Sequence, residues 1–190
     1  MKNFAVLGST RGTNLSAIAE AILHHQLPDS LQVVVSNKAD TGILERAHSY
    51  GLNAQFVDPQ NLSREAYDKK ISALLHAYHV DFIVLTGYMR ILSDDFVREW
   101  QNKIINVHPS LLPAYAGMMD MAVHEAVIAA GDVETGCTVH YVTEEVDAGP
   151  VVLQKKCRVM VDDTPDDLKK RVQLLEGQAL VEAVKVLISE

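Results

Sequence analysis

Phe4-Ala5-Val6-Leu7-Gly8-Ser9-Thr10-Arg11-Gly12-Thr13-Asn14 opens the chain, and the way it passes from apolar run to glycine to polar loop decides the fold. Asn3–Leu7 reads as a short strand ended by Gly8. Thr13–His25 then carries apolar residues at Leu15, Ile18, Ala19 and Ile22, the spacing of a helix with one buried face. The same unit recurs downstream. Leu31–Val35 is a second strand, and Gly42–Tyr50 a helix ended by Gly51. Ala54–Val57 is a weaker strand, followed by a helix that opens at Ser63-Arg64-Glu65-Ala66 with Ser63 or Asn61 as its cap. Asp81–Leu85 and Lys103–Val107 are strands on either side of a helix over Ser93–Trp100. Strands alternating with helices predict an α/β fold: an open, mainly parallel, twisted sheet with helices on both faces, Rossmann-like in layout.

The rhythm changes after Pro113. Val123–Ala130 reads as a helix, Thr138–Val142 and Pro150–Val159 as strands added antiparallel, and Thr164-Pro165 as the cap of a last helix, Asp166–Ile188. A length of 190 residues suits one domain with a full core. A hydrophobic share of 48%, a charged share of 22% and a net charge of −8 fit a soluble globular protein and argue against phosphate neutralisation of a nucleic acid. The short basic runs Lys155-Lys156 and Lys169-Lys170-Arg171 do not alter that. Cys137 and Cys157 are too few for a disulfide framework and read as small hydrophobes. The eight histidines show no metal-ligand spacing; His24-His25 and His76/His79 are expected on helical surfaces. The chain begins without a signal layout and has no apolar run of membrane-spanning length, so a cytoplasmic protein is expected.

Ligands of open α/β sheets bind at the carboxyl ends of the strands. That directs attention to Gly8–Asn14, Ser36–Asp40, Gly87–Leu92 and Asn106–Pro113. The first of these lacks a Walker lysine and lacks the GxGxxG pattern. It suits either a single phosphate on a helix N-terminus or a plain tight turn. In Asn106-Val107-His108-Pro109-Ser110-Leu111-Leu112-Pro113, Asn106 and His108 share one face of a strand where it gives way to a loop. An amide and an imidazolium converging on one point can stabilise an oxygen that gains negative charge, which points to acyl-type chemistry. Further on, Gly136-Cys137-Thr138-Val139-His140 alternates as a half-buried strand, and Asp147-Ala148-Gly149-Pro150 reads as a turn. Taken singly, Asp147 would be an Asx-turn residue and His140 a structural histidine.

Together these motifs resemble the formyltransferase family that uses 10-formyltetrahydrofolate. The likeness extends over Ser36-Asn37-Lys38-Ala39-Asp40, Ser63-Arg64-Glu65-Ala66-Tyr67-Asp68, Met89-Arg90-Ile91-Leu92-Ser93 and Arg171-Val172-Gln173 with Glu176. The resemblance implies transfer of a formyl group from 10-formyltetrahydrofolate, as co-substrate, to the primary amine of glycinamide ribonucleotide, giving formylglycinamide ribonucleotide and tetrahydrofolate in purine biosynthesis. It implies Asn106, His108 and Asp147 as the catalytic trio, with Asp147 holding the imidazole charged and accepting the proton of the amine. It implies Gly12, Thr13, Asn14, Gln173 and Glu176 as contacts of the ribonucleotide. Arg64, Met89, Arg90, Ile91, Leu92, Asn106 and Thr143-Glu144-Glu145-Val146-Asp147 match the folate-binding positions, with Met89, Ile91 and Leu92 walling a flat pterin. One domain over residues 1–190 is expected, with a nucleotide-binding half (1–107) and a folate-binding half (108–190). The implied partners are small molecules, with no metal, nucleic acid or membrane; a homodimer stays open.

The chain departs from the family pattern in places. Thr10 replaces a usual glycine, Ala114 a usual Lys or Ser, and Gly177 a usual His; Met118-Met119-Asp120-Met121 lengthens a connection, and the family's C-terminal extension is largely absent. A formyltetrahydrofolate hydrolase and a methionyl-tRNA formyltransferase share the trio. The first adds an N-terminal regulatory domain and the second a C-terminal RNA-binding domain, neither expected in a chain that starts at its first strand and ends, acidic, at Glu190. A non-catalytic nucleotide-binding domain of the same architecture is the remaining alternative.

Overall fold

The apolar runs of the first half become the parallel strands of one sheet. In the computed structural model, which describes residues 1–189, these are β1 (Phe4–Gly8), β2 (Leu31–Ser36), β3 (Ala54–Phe56), β4 (Phe82–Leu85) and β5 (Ile104–His108). Two antiparallel strands follow, β6 (Glu134–Tyr141) and β7 (Val151–Arg158), and the spatial order is β3-β2-β1-β4-β5-β6-β7. The helices are α1 (Thr13–Leu23), α2 (Gly42–Ser49), α3 (Arg64–Ala77), α4 (Asp94–Glu99), α5 (Met121–Ala130) and α6 (Pro165–Ser189).

Alternate residues of a strand point to opposite faces, and β1 divides the core accordingly. Phe4 and Val6 join the cluster covered by α1, α2, α5 and α6; Ala5 and Leu7 join the one covered by α3 and α4. Every residue of β1 and β4 is buried, as strands covered on both faces must be. Ser63 caps α3 by accepting from the Ala66 amide at 3.1 Å, and Ser93 caps α4 from the Phe96 amide at 3.3 Å. Each such cap contributes about 1 kcal/mol.

The structure corrects several sequence readings. The sixth strand starts at Glu134 rather than Thr138, because Glu134–Cys137 pair with Arg158–Lys155 of β7. His25 and His79 do not lie on helices; they take positive φ (56° and 53°) in the turns just past α1 and α3. Cys137 is buried, and burial pushes its thiol up to about 12; Cys157 is only half-buried. No helix among the described residues is long and apolar enough to cross a membrane.

Candidate active site

The sheet changes from parallel to antiparallel between β5 and β6, and the polar residues gather at that seam. Asn106 and His108 leave β5 on one face, two residues apart. Across the antiparallel ladder Asn106 lies opposite His140, and His108 opposite Thr138. Asp147 sits in the turn after β6 with φ 54°, so its carboxylate reaches back over both strands. Its Oδ2 lies 3.3 Å from His108 Nδ1 and its Oδ1 3.6 Å from His140 Nε2. The three side chains are 10% exposed or less. Asn106 Nδ2 is 3.4 Å from His140 Nε2. Asn106, His108 and Asp147, distant in sequence, therefore meet at one place, with His140 between the first and the last.

The two histidines differ in what their ring nitrogens face. His108 has the Asp147 carboxylate at Nδ1 and the Tyr115 carbonyl oxygen 3.1 Å from Nε2. Both neighbours are acceptors, so the imidazolium, with two N–H donors, satisfies both. His140 has the Tyr141 carbonyl 3.0 Å from Nδ1. Burial depresses its pKa, outweighing the raising effects of the Tyr141 carbonyl and Asp147. The neutral ring donates at Nδ1 and can accept the Asn106 amide at Nε2. One carboxylate thus stands between a ring placed for two protons and a ring held to one.

The loop after β5 is held by the neighbouring hairpin. Thr138 Oγ1 donates to the Ser110 carbonyl at 2.7 Å, accepts the Leu112 amide at 3.0 Å, and accepts Gln154 Nε2 at 2.9 Å. Gln154 also donates to the Leu112 carbonyl at 3.0 Å. The segment beyond folds back over the trio: besides the Tyr115 carbonyl on His108, the Gly117 amide donates to Asp147 Oδ2 at 2.8 Å.

After β1, Gly12 takes φ 71° at the start of α1, and a Cβ there would come within 2.7 Å of the Ile43 backbone. No side chain caps α1, which leaves its first amides for an anion. Asn14 Nδ2 donates to Glu176 Oε2 at 2.9 Å. Glu176 is 9% exposed, and burial raises its pKa to about 7 against the lowering effects of Asn14 and Lys169. Gln173, on the same helix, is half-buried. Gly177 lets α1 and α6 approach: a Cβ there would lie 2.8 Å from Ala17 Cβ.

The loop after β4 is tied to the loop between β1 and α1. Ser9 Oγ accepts the Met89 amide at 2.9 Å and donates to Asn37 Oδ1. Thr10 lies over Gly87, where a Cβ would meet its Oγ1 at 2.5 Å. Met89 and Ile91 are 50% and 69% exposed, whereas Leu92 is 8% exposed and packs in the core beside α3 and α4. The expected side-chain wall therefore reduces to Met89 and Ile91. Arg90 stacks on Tyr67 with its guanidinium carbon 4.4 Å from the ring centre. Arg64, at the first position of α3, pairs with Glu65 at 3.4 Å. In the turn after β6, Thr143 Oγ1 donates to the Glu145 carbonyl at 3.0 Å, Glu144 lies 3.5 Å from Arg98, and Val146 is 60% exposed.

Read singly, His140 gave no sign of joining the trio; its alternation with Thr138 on one face of the strand was the available signal. The capping contacts from Tyr115 and Gly117 carry no side-chain signature, since both are backbone groups.

An amide, two imidazoles and a carboxylate gathered at the seam of an open α/β sheet, together with a helix start that no side chain caps, suit an enzyme that transfers a small acyl unit. The chain belongs to the formyl transferase family, whose model matches residues 2–184. It is 42% identical to the phosphoribosylglycinamide formyltransferase of Escherichia coli (strain K12), over 92% of this chain and 81% of that one. It is 39% identical to the trifunctional purine biosynthetic protein adenosine-3 of Gallus gallus, covering 97% of this chain but 18% of that longer protein. The crystal structure of glycinamide ribonucleotide transformylase 1 from Symbiobacterium toebii superposes with a TM-score of 0.91 at 39% identity, covering 97% of this chain and 86% of that one.

Proposed function

We propose that the protein transfers the formyl group of 10-formyltetrahydrofolate to the primary amine of glycinamide ribonucleotide, releasing tetrahydrofolate, in purine biosynthesis. The observation that carries this reading is the contact of Asp147 with His108 beside Asn106, on one face of the strand at the seam. The neutral amine attacks the formyl carbon, and the carbonyl oxygen takes up negative charge. Asn106 and His108 donate to that oxygen, His108 through Nε2 in exchange for its Tyr115 carbonyl partner; one such donor typically lowers a barrier by roughly 3 kcal/mol. Asp147 takes the proton that leaves the amine, directly or through water. Collapse of the tetrahedral species restores the carbonyl and breaks the bond to the folate nitrogen, which leaves with the proton that Asp147 took up. Holding both substrates in register supplies much of the remaining acceleration.

In this reading the amides of Gly12, Thr13 and Asn14 hold the phosphate of the ribonucleotide, and Gln173 and Glu176 bind its sugar and amide end. Met89 and Ile91 cover the pterin, the backbone of Arg90 and Leu92 reads its edge, Thr143–Asp147 closes its far side, and Arg64 meets the folate's carboxylate tail. The single domain divides by role only loosely: folate positions fall both before and after residue 107. The free thiols of Cys137 and Cys157 suit the reducing cytoplasm.

The test is release of tetrahydrofolate from 10-formyltetrahydrofolate with and without glycinamide ribonucleotide. Release that depends on the amine is expected; release without it would indicate a hydrolase, and none a binding module. Asp147→Asn should lower kcat by roughly a thousandfold while leaving both KM values nearly unchanged. Turnover near that of the parent would remove Asp147 from the chemistry.

A further inference from the structure

Lys169, Gln173 and Glu176 lie at i, i+4 and i+7 of α6, one stripe along the helix. The proposed function uses the last two and leaves the first. The Lys169 side chain is 27% exposed and its ammonium is paired with Asp120, whose side chain is 69% exposed. Lysine is thus the embedded member and aspartate the movable one. Asp120 occupies the position before α5 with φ 49° and ψ −128°, and its side chain does not cap that helix. An aspartate at this position ordinarily accepts from the helix's own first amides; here the carboxylate reaches to Lys169 instead.

Two neighbouring polar atoms have no partner. His124, on the first turn of α5, is 2% exposed, and its Nδ1 makes no hydrogen bond. Asn14 Oδ1 is buried and equally unpaired, although the same side chain donates to Glu176. Lys169 is joined to both by geometry: its partner Asp120 directly precedes the turn of α5 that carries His124, and Glu176, two turns further along α6, holds Asn14. Buried polar atoms are nearly always hydrogen-bonded in a folded protein, and leaving them unpaired is costly. A ligand with a dianionic phosphate and sugar hydroxyls would serve the whole set: phosphate for the ammonium, hydroxyls for the amide oxygen and the ring nitrogen.

We infer that Lys169 is a further binding residue for the sugar phosphate of the acceptor, and that Asp120 holds its ammonium in place of that phosphate until the substrate arrives. The inference rests on the acceptor reading given above. An exposed ion pair is worth little in water, so exchanging Asp120 for a phosphate carries a small cost. Asp120 and the substrate therefore compete for one cation, and their removal has opposite signs.

Calorimetric titration with ribose 5-phosphate, alongside steady-state kinetics, tests this. Lys169→Met should weaken ribose 5-phosphate binding about tenfold and raise KM for glycinamide ribonucleotide by a similar factor, leaving KM for the folate unchanged. Lys169→Arg should restore most of the loss. Asp120→Asn should tighten ribose 5-phosphate binding about threefold. A pair that only braced α5 against α6 would give weaker binding, or none of these changes, in both Lys169→Met and Asp120→Asn, and either result overturns the inference. If those variants behave alike while the parent enzyme transfers formyl groups, only the role of Lys169 falls. If the parent neither binds ribose 5-phosphate nor forms tetrahydrofolate, the acceptor reading falls with it.

Discussion

The five parallel strands and the antiparallel pair are built from different materials. β1 and β4 are buried at every position, and their side chains are apolar apart from the glycine that ends β1. β7 alternates exposed and half-buried residues, and the inner face of β6 carries Thr138 and His140. The central parallel strands, β2, β1 and β4, form a dry platform that gains stability from burial on both faces. β7 gives up that burial, whereas β6 stays buried along most of its length but carries hydrogen-bonding groups there. The chemistry falls where the two meet, because Asn106 and His108 are held by the platform while His140, Thr138 and Asp147 come from the polar side. A platform alone would hold no proton acceptor, and a polar hairpin alone would not hold one still.

The largest test of that contrast lies at the seam. Asn106→Ala removes the amide from the last parallel strand and should lower kcat roughly a hundredfold. Steady-state kinetics should show KM for glycinamide ribonucleotide within about twofold of the parent; an effect confined to KM for the folate would leave Asn106 with its binding role alone. Next comes packing. Ile83→Ala, in the fully buried β4, should cost about 3 kcal/mol in urea unfolding, whereas Val152→Ala in β7 should cost about 1 kcal/mol or less. Equal costs would erase the distinction between the two regions.

Glu176 gives a pH test. Its folded pKa, about 7, lies above the ordinary carboxylate value of 4.5. The folded state therefore holds the proton more tightly than the unfolded one, and stability falls as pH rises from about 4.5 to about 7. Between pH 5 and 8 this group should account for about 2 kcal/mol, and Glu176→Gln should flatten that part of the stability profile. An unchanged profile would show that the carboxyl ionises in the folded chain as it does in water. The smallest effect concerns Gly177. Gly177→His drives a Cβ against Ala17 and should destabilise by about 1 to 2 kcal/mol in urea. A neutral or stabilising result would mean that α1 shifts freely on α6.

Legibility in the sequence followed the same division. The parallel strands were plain because an apolar run bounded by glycine or serine has few other uses. The start of β6 was not, since Glu134-Thr135-Gly136 is polar and glycine-bearing, and only its pairing with Lys156–Arg158 makes it a strand. Asn106, His108 and Asp147 could be read from motif and resemblance, and they meet as expected. The place of His140 depended on a register that no local pattern specifies. Leu92 misled because an apolar residue beside a predicted pocket can as well point into the core. Lys169, Asp120 and His124 were invisible for a related reason: they belong to different helices, and only the packing of α5 on α6 brings them together.

The hydroxyl of Thr138 has a consequence for anyone hoping to transplant this chemistry. The stretch after β5 takes its shape from a neighbouring hairpin and not from the strand that feeds it, through Ser110, Leu112 and Gln154. The smallest cassette worth moving into a foreign scaffold is therefore discontinuous: residues 104–113 together with 134–158. A graft of the first stretch alone would carry the right letters without the fastening that gives them their posture.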